Sequence, residues 1–163
     1  MTYMLQPVDD AFFETAPIVI PASVELDASP DQVWEALGSD AMWSWAPIID
    51  QLVWTTGRPQ TVGAIRRLRL FKAVTIEEEF YRWDVGRRAT FRVVAQSRRM
   101  FDGLAEDFLL EPAAGGGTRL TWTMAVAPRG LPGAAAAGRV LGPALARGNA
   151  LAIGGIRKIL PPR

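Results

Sequence analysis

Cysteine and histidine are both absent from the 163 residues. Without Cys there is no disulfide, no thiolate–zinc site and no thiol nucleophile. Without His, the commonest metal ligand and the usual near-neutral proton shuttle are missing. Any acid–base chemistry therefore falls to Asp, Glu, Tyr, Arg or water, and neither a metal nor another cofactor is expected. Lysine is scarce: of the 18 basic residues only Lys72 and Lys158 are not arginine. Arginine suits planar bidentate pairing and stacking on the six Trp. Charge of either sign is lacking in excess. A net +1 provides no broad field for nucleic acid or acidic membranes, and basic and aromatic residues do not interleave, so no nucleic-acid partner is expected. No apolar run is long enough to span a bilayer, because Arg139 and Arg147 interrupt the most apolar stretch, about 131–160. Transient membrane contact is the most that stretch allows. Residues 1–17 carry Asp9, Asp10 and Glu14 and no basic n-region, so a secretory signal is not read there and a cytoplasmic location is the default. Nothing in the sequence sets the oligomeric state.

What is present reads as one domain. Hydrophobic residues at 49% and charged residues at 21% are an ordinary globular balance, and the length can bury a substantial core. Residues 1–17, with Pro7 and Pro17, read as a loose arm, and 18–163 as the domain. From Ile18, apolar Ile20, Ala22, Val24 and Leu26 alternate with Ser23, Glu25 and Asp27, which is a strand. Ser29 then serves as an N-cap and Pro30 as the first residue of a short helix with Val33, Trp34 and Leu37, stopped at Gly38. Ser39 or Asp40 caps a second short helix through Trp43 and Trp45, ended by Pro47. Strands are expected near 51–56, 62–71, 73–83, 87–96, 100–111 and 117–127, separated by tight turns, hence an antiparallel meander. The segment 131–160 reads as one long helix, with Pro143 a kink or its true start. Its inward face would carry Leu141, Leu145, Gly148, Ala152, Gly155 and Ile159, with Arg139, Arg147, Arg157 and Lys158 opposite. A seven-stranded sheet cannot leave an apolar face bare, and that helix is the only element large enough to cover it.

This order, with Ser29-Pro30-Asp31-Gln32-Val33-Trp34 after the first strand, Trp45-Ala46-Pro47-Ile48 followed by Val62-Gly63-Ala64, and Gly116-Gly117-Thr118-Arg119-Leu120-Thr121-Trp122, resembles the helix-grip superfamily. That superfamily includes START domains, birch-pollen-allergen-like proteins and the bacterial polyketide cyclase/dehydrase and lipid-transport family. The likeness covers about 18–160. It implies an α+β helix-grip fold: a seven-stranded curved antiparallel sheet wrapped round a long C-terminal helix, with two short helices after strand 1. It also implies a cavity for lipids, polyketides or similar molecules. No family catalytic constellation maps onto this chain residue by residue.

Hairpin register predicts which faces are inside. A tight turn near Lys72 sets Leu70 opposite Val74, Leu68 opposite Ile76, and Arg66 opposite Glu78 on the same apolar face, with Arg67 and Glu77 outside. Similar arithmetic pairs Phe80 with Phe91 and Phe108 with Trp122, and puts Glu106 inside opposite Met124. Glu77-Glu78-Glu79 is not a metal site, because alternation separates Glu78 from the other two. The expected pocket wall is Phe80, Phe91, Phe108 and Trp122, with Trp43 and Trp45 near one mouth, Trp54 as a further ligand-binding candidate and Gly148 leaving room on the helix. Arg66 and Glu78 either snorkel to a wet rim or anchor a ligand's polar end.

Three functions fit this reading. The first is binding or carriage of a small hydrophobic molecule. The second is a cyclase or dehydrase in which Arg66, Glu78 and Glu106 or Tyr81 position and polarise the substrate. The third is an adaptor whose pocket is filled by its own side chains. Carboxylate and Arg converging at the deepest polar point favours the enzyme; an apolar pocket with a rim charge favours the carrier.

Overall fold

A computed structural model describes residues 1–40 and 48–160, the side chain of Leu141 excepted. The expected second short helix, with Trp43 and Trp45, lies outside the described residues. The elements are β1 (Tyr3–Met4), α1 (Phe12–Thr15), β2 (Ile18–Leu26), α2 (Pro30–Gly38), β3 (Ile49–Trp54), β4 (Ile65–Leu70), β5 (Val74–Asp84), β6 (Arg88–Gln96), β7 (Phe101–Pro112), β8 (Thr118–Pro128) and α3 (Ala134–Gly154). The six expected meander strands are all present as β3 to β8. The sheet is antiparallel, with β2 beside β8 at one edge and β3 at the other. Pro21 sits in β2, an edge strand, where its missing N–H costs the ladder least.

Local chemistry sets the joints. The Ser29 hydroxyl accepts the Gln32 N–H at 3.3 Å and the Gln32 side chain accepts the Ser29 N–H at 2.9 Å, a capping box that starts α2 with Pro30 next in line. The β4–β5 turn is tight, with Phe71 and Lys72 both left-handed (φ 51° and 55°), and Asp50 clamps it by accepting the Lys72 N–H at 2.5 Å and pairing with Arg69. Its register sets Leu70 opposite Val74, Leu68 opposite Ile76 and Arg66 opposite Glu78. Phe80 faces Phe91, Phe108 faces Trp122 and Glu106 faces Met124, all as the hairpin arithmetic requires.

The N-terminal arm, expected to be loose, is docked. β6 pairs with β7 only from Arg88↔Leu109 to Arg92↔Ala105, and beyond that β1 takes its edge, with Tyr3 opposite Gln96 and Met4 opposite Ala95. The Leu5 N–H extends this pairing to the Val94 carbonyl at 3.0 Å, and its side chain is buried with Leu68, Val74, Ile76, Val93 and Leu104. Further along, Val8 and Phe12 lie against Gly103, where a Cβ would meet the Phe12 ring at 2.9 Å. A two-residue strand has no readable period, which is why the arm looked unstructured.

α3 begins at Ala134 and runs through Pro143, so the proline neither starts nor ends it. It lies along the β2 edge: a Cβ on Gly138 would stand 3.0 Å from the Ile18 side chain. Its inward anchors are the fully buried Ile153 and Ile156, the latter in the 3-10 turn that follows (Gly155–Lys158). Two residues of the expected inward face are not inside. Leu145 is exposed, and Gly148 is exposed with nothing within 4 Å of a Cβ placed there. Gly148 therefore leaves no room inside the fold.

Candidate functional site

The concave face of the sheet has two halves. One is lined with packed aromatic rings. The rings form a continuous chain, Trp34–Trp83–Phe80–Phe91–Phe108–Trp122, with successive centroids 4.7–5.8 Å apart. Val33 and Leu37 of α2 and the two C-terminal isoleucines close over it. Trp54 joins this half, 5.3 Å from Phe80. The other half holds a cavity of about 220 Å³. Leu68 and Leu70 of β4 and Ile76 of β5 form one wall; Leu104 of β7 with Met124 and Val126 of β8 form the other. Ile48, Phe71 and Met100 surround the mouth.

Three charged or ionisable side chains sit where the halves meet. Arg66 and Glu78 are 1% and 3% exposed, with Arg66 Nε 2.5 Å from Glu78 Oε2. They are not at a wet rim. The guanidinium carbon also stands 4.5 Å from the Phe91 ring, 4.8 Å from Phe80 and 5.8 Å from Trp54, a desolvated cation over three ring faces. Glu78 lines the cavity in front of it, and Glu106 lines it beside Trp122, whose indole N–H donates to Glu106 Oε2 at 2.9 Å. Two buried carboxyls thus share one buried cation. Burial pushes Glu106 up to about 8; the charge of Glu78 adds to this, while Arg66 and the Trp122 hydrogen bond oppose it. Burial raises Glu78 as well, against the pull of Arg66. Arg66 touches Glu78 directly, whereas Glu106 has only the Trp122 N–H against it, so burial favours the protonated form of Glu106 with less opposition from a bonded cation.

The expected site residues divide accordingly. Glu78, Glu106 and Trp122 line the cavity; Arg66 supports Glu78 from behind. Phe80, Phe91 and Phe108 do point inward, buried in the aromatic half, and do not line this cavity. Trp54 packs with them. Tyr81 stacks under Arg92 (5.1 Å), which pairs with Glu79, and does not line this cavity. Trp45 lies outside the described residues, and Gly148 is on the exposed side of α3. Leu104, Val126 and the mouth residues were not singled out, and Met124 was placed inside but not as a site residue. For Leu104, Met124 and Val126 the signal was available, because they share the parity of Glu106 and Leu68, but the aromatic residues outweighed them. Glu77 pairs with Arg67 at 2.6 Å and Glu79 with Arg92 at 2.9 Å, each apart from Glu78. Among the described residues no group of three acidic side chains is placed to hold a metal ion, and no helix is long and apolar enough to cross a membrane.

Known proteins share this architecture. The structure of a START superfamily protein from Mycobacterium smegmatis superposes with a TM-score of 0.67 at 16% identity, covering 86% of this chain and 98% of that one. The Zhui aromatase/cyclase of Streptomyces sp. R1128 superposes with a TM-score of 0.66 at 16% identity, covering 86% and 91%. At such identities the likeness concerns the fold. In sequence, the chain is 36% identical over 124 residues to an uncharacterised protein of Mycobacterium tuberculosis, covering 76% of this chain and 74% of the relative. The profile described as polyketide cyclase/dehydrase and lipid transport matches residues 17–153. The chain, with its curled sheet, C-terminal helix and concave cavity, belongs to the polyketide cyclase/dehydrase and lipid-transport family.

Proposed function

We propose that the protein binds a small, uncharged hydrophobic molecule in the cavity between β4, β5, β7 and β8, with the ligand's polar end accepting a hydrogen bond from Glu106. The observation that carries this reading is an apolar cavity with two buried carboxyls and one buried cation at its inner end. An apolar wall with a few convergent polar groups is the usual form of a small-molecule site. The charge balance selects the head group. A carboxylate or phosphate entering here would meet Glu78 and Glu106 with Arg66 already engaged, whereas a ketone, ester or hydroxyl can accept the Glu106 proton in a hydrogen bond. The volume is below the roughly 300–1,000 Å³ typical of ligand pockets, so the cavity takes a compact ligand or the buried end of a longer one.

The same acid favours a second reading. A carboxyl that holds its proton near neutral pH and faces a bound molecule is a general acid, as a cyclase or dehydrase requires. The convergence of Arg66 with two carboxyls adds weight to it; the carrier reading is preferred because Arg66 packs against the rings of Phe80, Phe91 and Trp54 and, among the described lining residues, both carboxyls already have a hydrogen-bond partner.

Native mass spectrometry of protein purified from its own host tests the proposal. A neutral apolar molecule should remain bound and should leave when the cavity is filled by Met124→Trp. Recovery of a fatty-acid carboxylate would contradict the head-group assignment.

A further inference from the structure

The mouth of the cavity is built in a way that ligand binding alone does not require. Ile48, Phe71 and Met100 surround it and are 47%, 65% and 37% exposed. Phe71 is the sharpest case. It occupies a left-handed position (φ 51°) at the tip of the β4–β5 hairpin. A bulky residue is rare there, and Asn or Gly would make the turn more easily. The sequence keeps an exposed aromatic ring at a place that turn chemistry disfavours.

Charge follows the same ring. Lys72 adjoins Phe71, and Arg98 and Arg99 precede Met100; all three are exposed. The two carboxylates nearest in the chain are already matched, Asp50 with Arg69 and Asp102 with Arg129 at 2.5 Å. Arg99 lies over the Tyr3 ring at 4.7 Å, which leaves its charge in place. The apolar tips of the mouth are therefore flanked in the chain by three exposed cations, Lys72 near Asp50 and Arg99 turned toward Tyr3, on a protein whose total is only +1.

We propose that this rim docks mouth-first onto an anionic lipid bilayer, with Phe71, Met100 and Ile48 entering the interface and Lys72, Arg98 and Arg99 meeting the headgroups. Apolar side chains flanked by cations are the general means of interfacial binding. The orientation places the cavity opening against the hydrocarbon, so an apolar ligand passes between bilayer and cavity without crossing water. That use rests on the ligand-binding reading; the docking itself does not, so the two fail separately.

Co-sedimentation with extruded vesicles tests it, using phosphatidylcholine alone and phosphatidylcholine with phosphatidylglycerol in equal parts, at low and high salt. The protein should bind the anionic vesicles and be released by salt. Phe71→Asn with Met100→Ser should weaken binding roughly tenfold or more. The thermal midpoint should stay the same or rise, because Asn suits the left-handed position. Lys72→Gln with Arg98→Gln and Arg99→Gln should cost about fivefold per cation on anionic vesicles only. Three results would overturn the proposal: no binding of the wild-type chain to anionic vesicles; binding insensitive to the rim substitutions but lost in Val140→Ser with Leu151→Ser on the exposed side of α3; or rim-dependent self-association of the protein in the absence of vesicle binding.

Discussion

Replace Glu78 by leucine and Arg66 is left in the interior without the carboxylate it touches. Their side chains are 1% and 4% exposed and the bond is 2.5 Å, so water cannot substitute for the lost partner. At an effective dielectric constant of about 20, two unit charges 4 Å apart attract by about 4 kcal/mol. Removing one member of such a pair costs about 3–5 kcal/mol, because the remaining charge stays buried, whereas exchanging both for apolar residues is often neutral or better. Glu78→Leu and Arg66→Met should therefore each lower stability by about 3–5 kcal/mol. At about 2–4 °C per kcal/mol for a chain of this size, that is a fall of roughly 6–20 °C in the thermal midpoint. The double variant should be more stable than either single one. Urea unfolding at neutral pH, followed by tryptophan fluorescence, yields all four corners of the cycle. The third group adds an independent readout. Without Glu78, Glu106 loses a repelling neighbour and retains the attraction of Arg66, so its pKa should drop below about 8; without Arg66 it should rise. Carbon-13 NMR of the carboxyl reads this directly. A double variant as unstable as the sum of the singles would show the pair to be uncoupled and refute the reasoning.

Other expectations follow from the same geometry. Glu106 binds its proton more tightly folded, at about 8, than unfolded, at the ordinary carboxyl value of 4.5, so the stability tied to that proton is full below about 4.5 and is lost as pH rises towards about 8. The expected slope is up to about 1.4 kcal/mol per pH unit; Glu106→Gln should flatten that slope in urea melts taken across the range, and an unchanged slope would assign it elsewhere. Trp122→Ala should cost about 3–5 kcal/mol. Trp122→Phe should keep most of the packing yet raise the Glu106 pKa further, because the indole N–H that favours the carboxylate is gone; NMR titration distinguishes the two effects. Gly117→Ala places a Cβ 2.6 Å from the Leu26 carbonyl oxygen, a backbone clash that should cost about 1–3 kcal/mol, measured as a lower thermal midpoint.

The sequence predicted the sheet well because period-two alternation and tight turns are local signals. One hairpin, closed between Leu70 and Val74, was enough to place Arg66 against Glu78 and to send Glu77 the other way. Parity names the face that a side chain occupies but does not show how far its ring reaches or what else fills the space. Phe80, Phe91 and Phe108 are inside as expected, yet α2 and Ile153 close over them, and the cavity lies with the slimmer Leu104, Met124 and Val126. The helix face was read correctly only towards its end, where Ala152 and Ile159 pack against the core, and not at Leu145 and Gly148. Projection round α3 favoured the side bearing Leu145 and Gly148, but the helix lies along the β2 edge, where Gly138 allows close approach, and this rotation turns Ile153 inward. The arm was illegible because its contribution is two residues of strand and the single buried Leu5.

The central claim, an apolar cavity that selects an uncharged head group, is tested most directly by titrating the protein at neutral pH with 2-naphthol and, in parallel, with 2-naphthoate. The two share a ring system and differ in charge. Saturable one-to-one binding of 2-naphthol is predicted, with 2-naphthoate far weaker, and with both lost in a folded Met124→Trp variant whose cavity is filled. Equal or tighter binding of 2-naphthoate, or 2-naphthol binding that survives Met124→Trp, would contradict it.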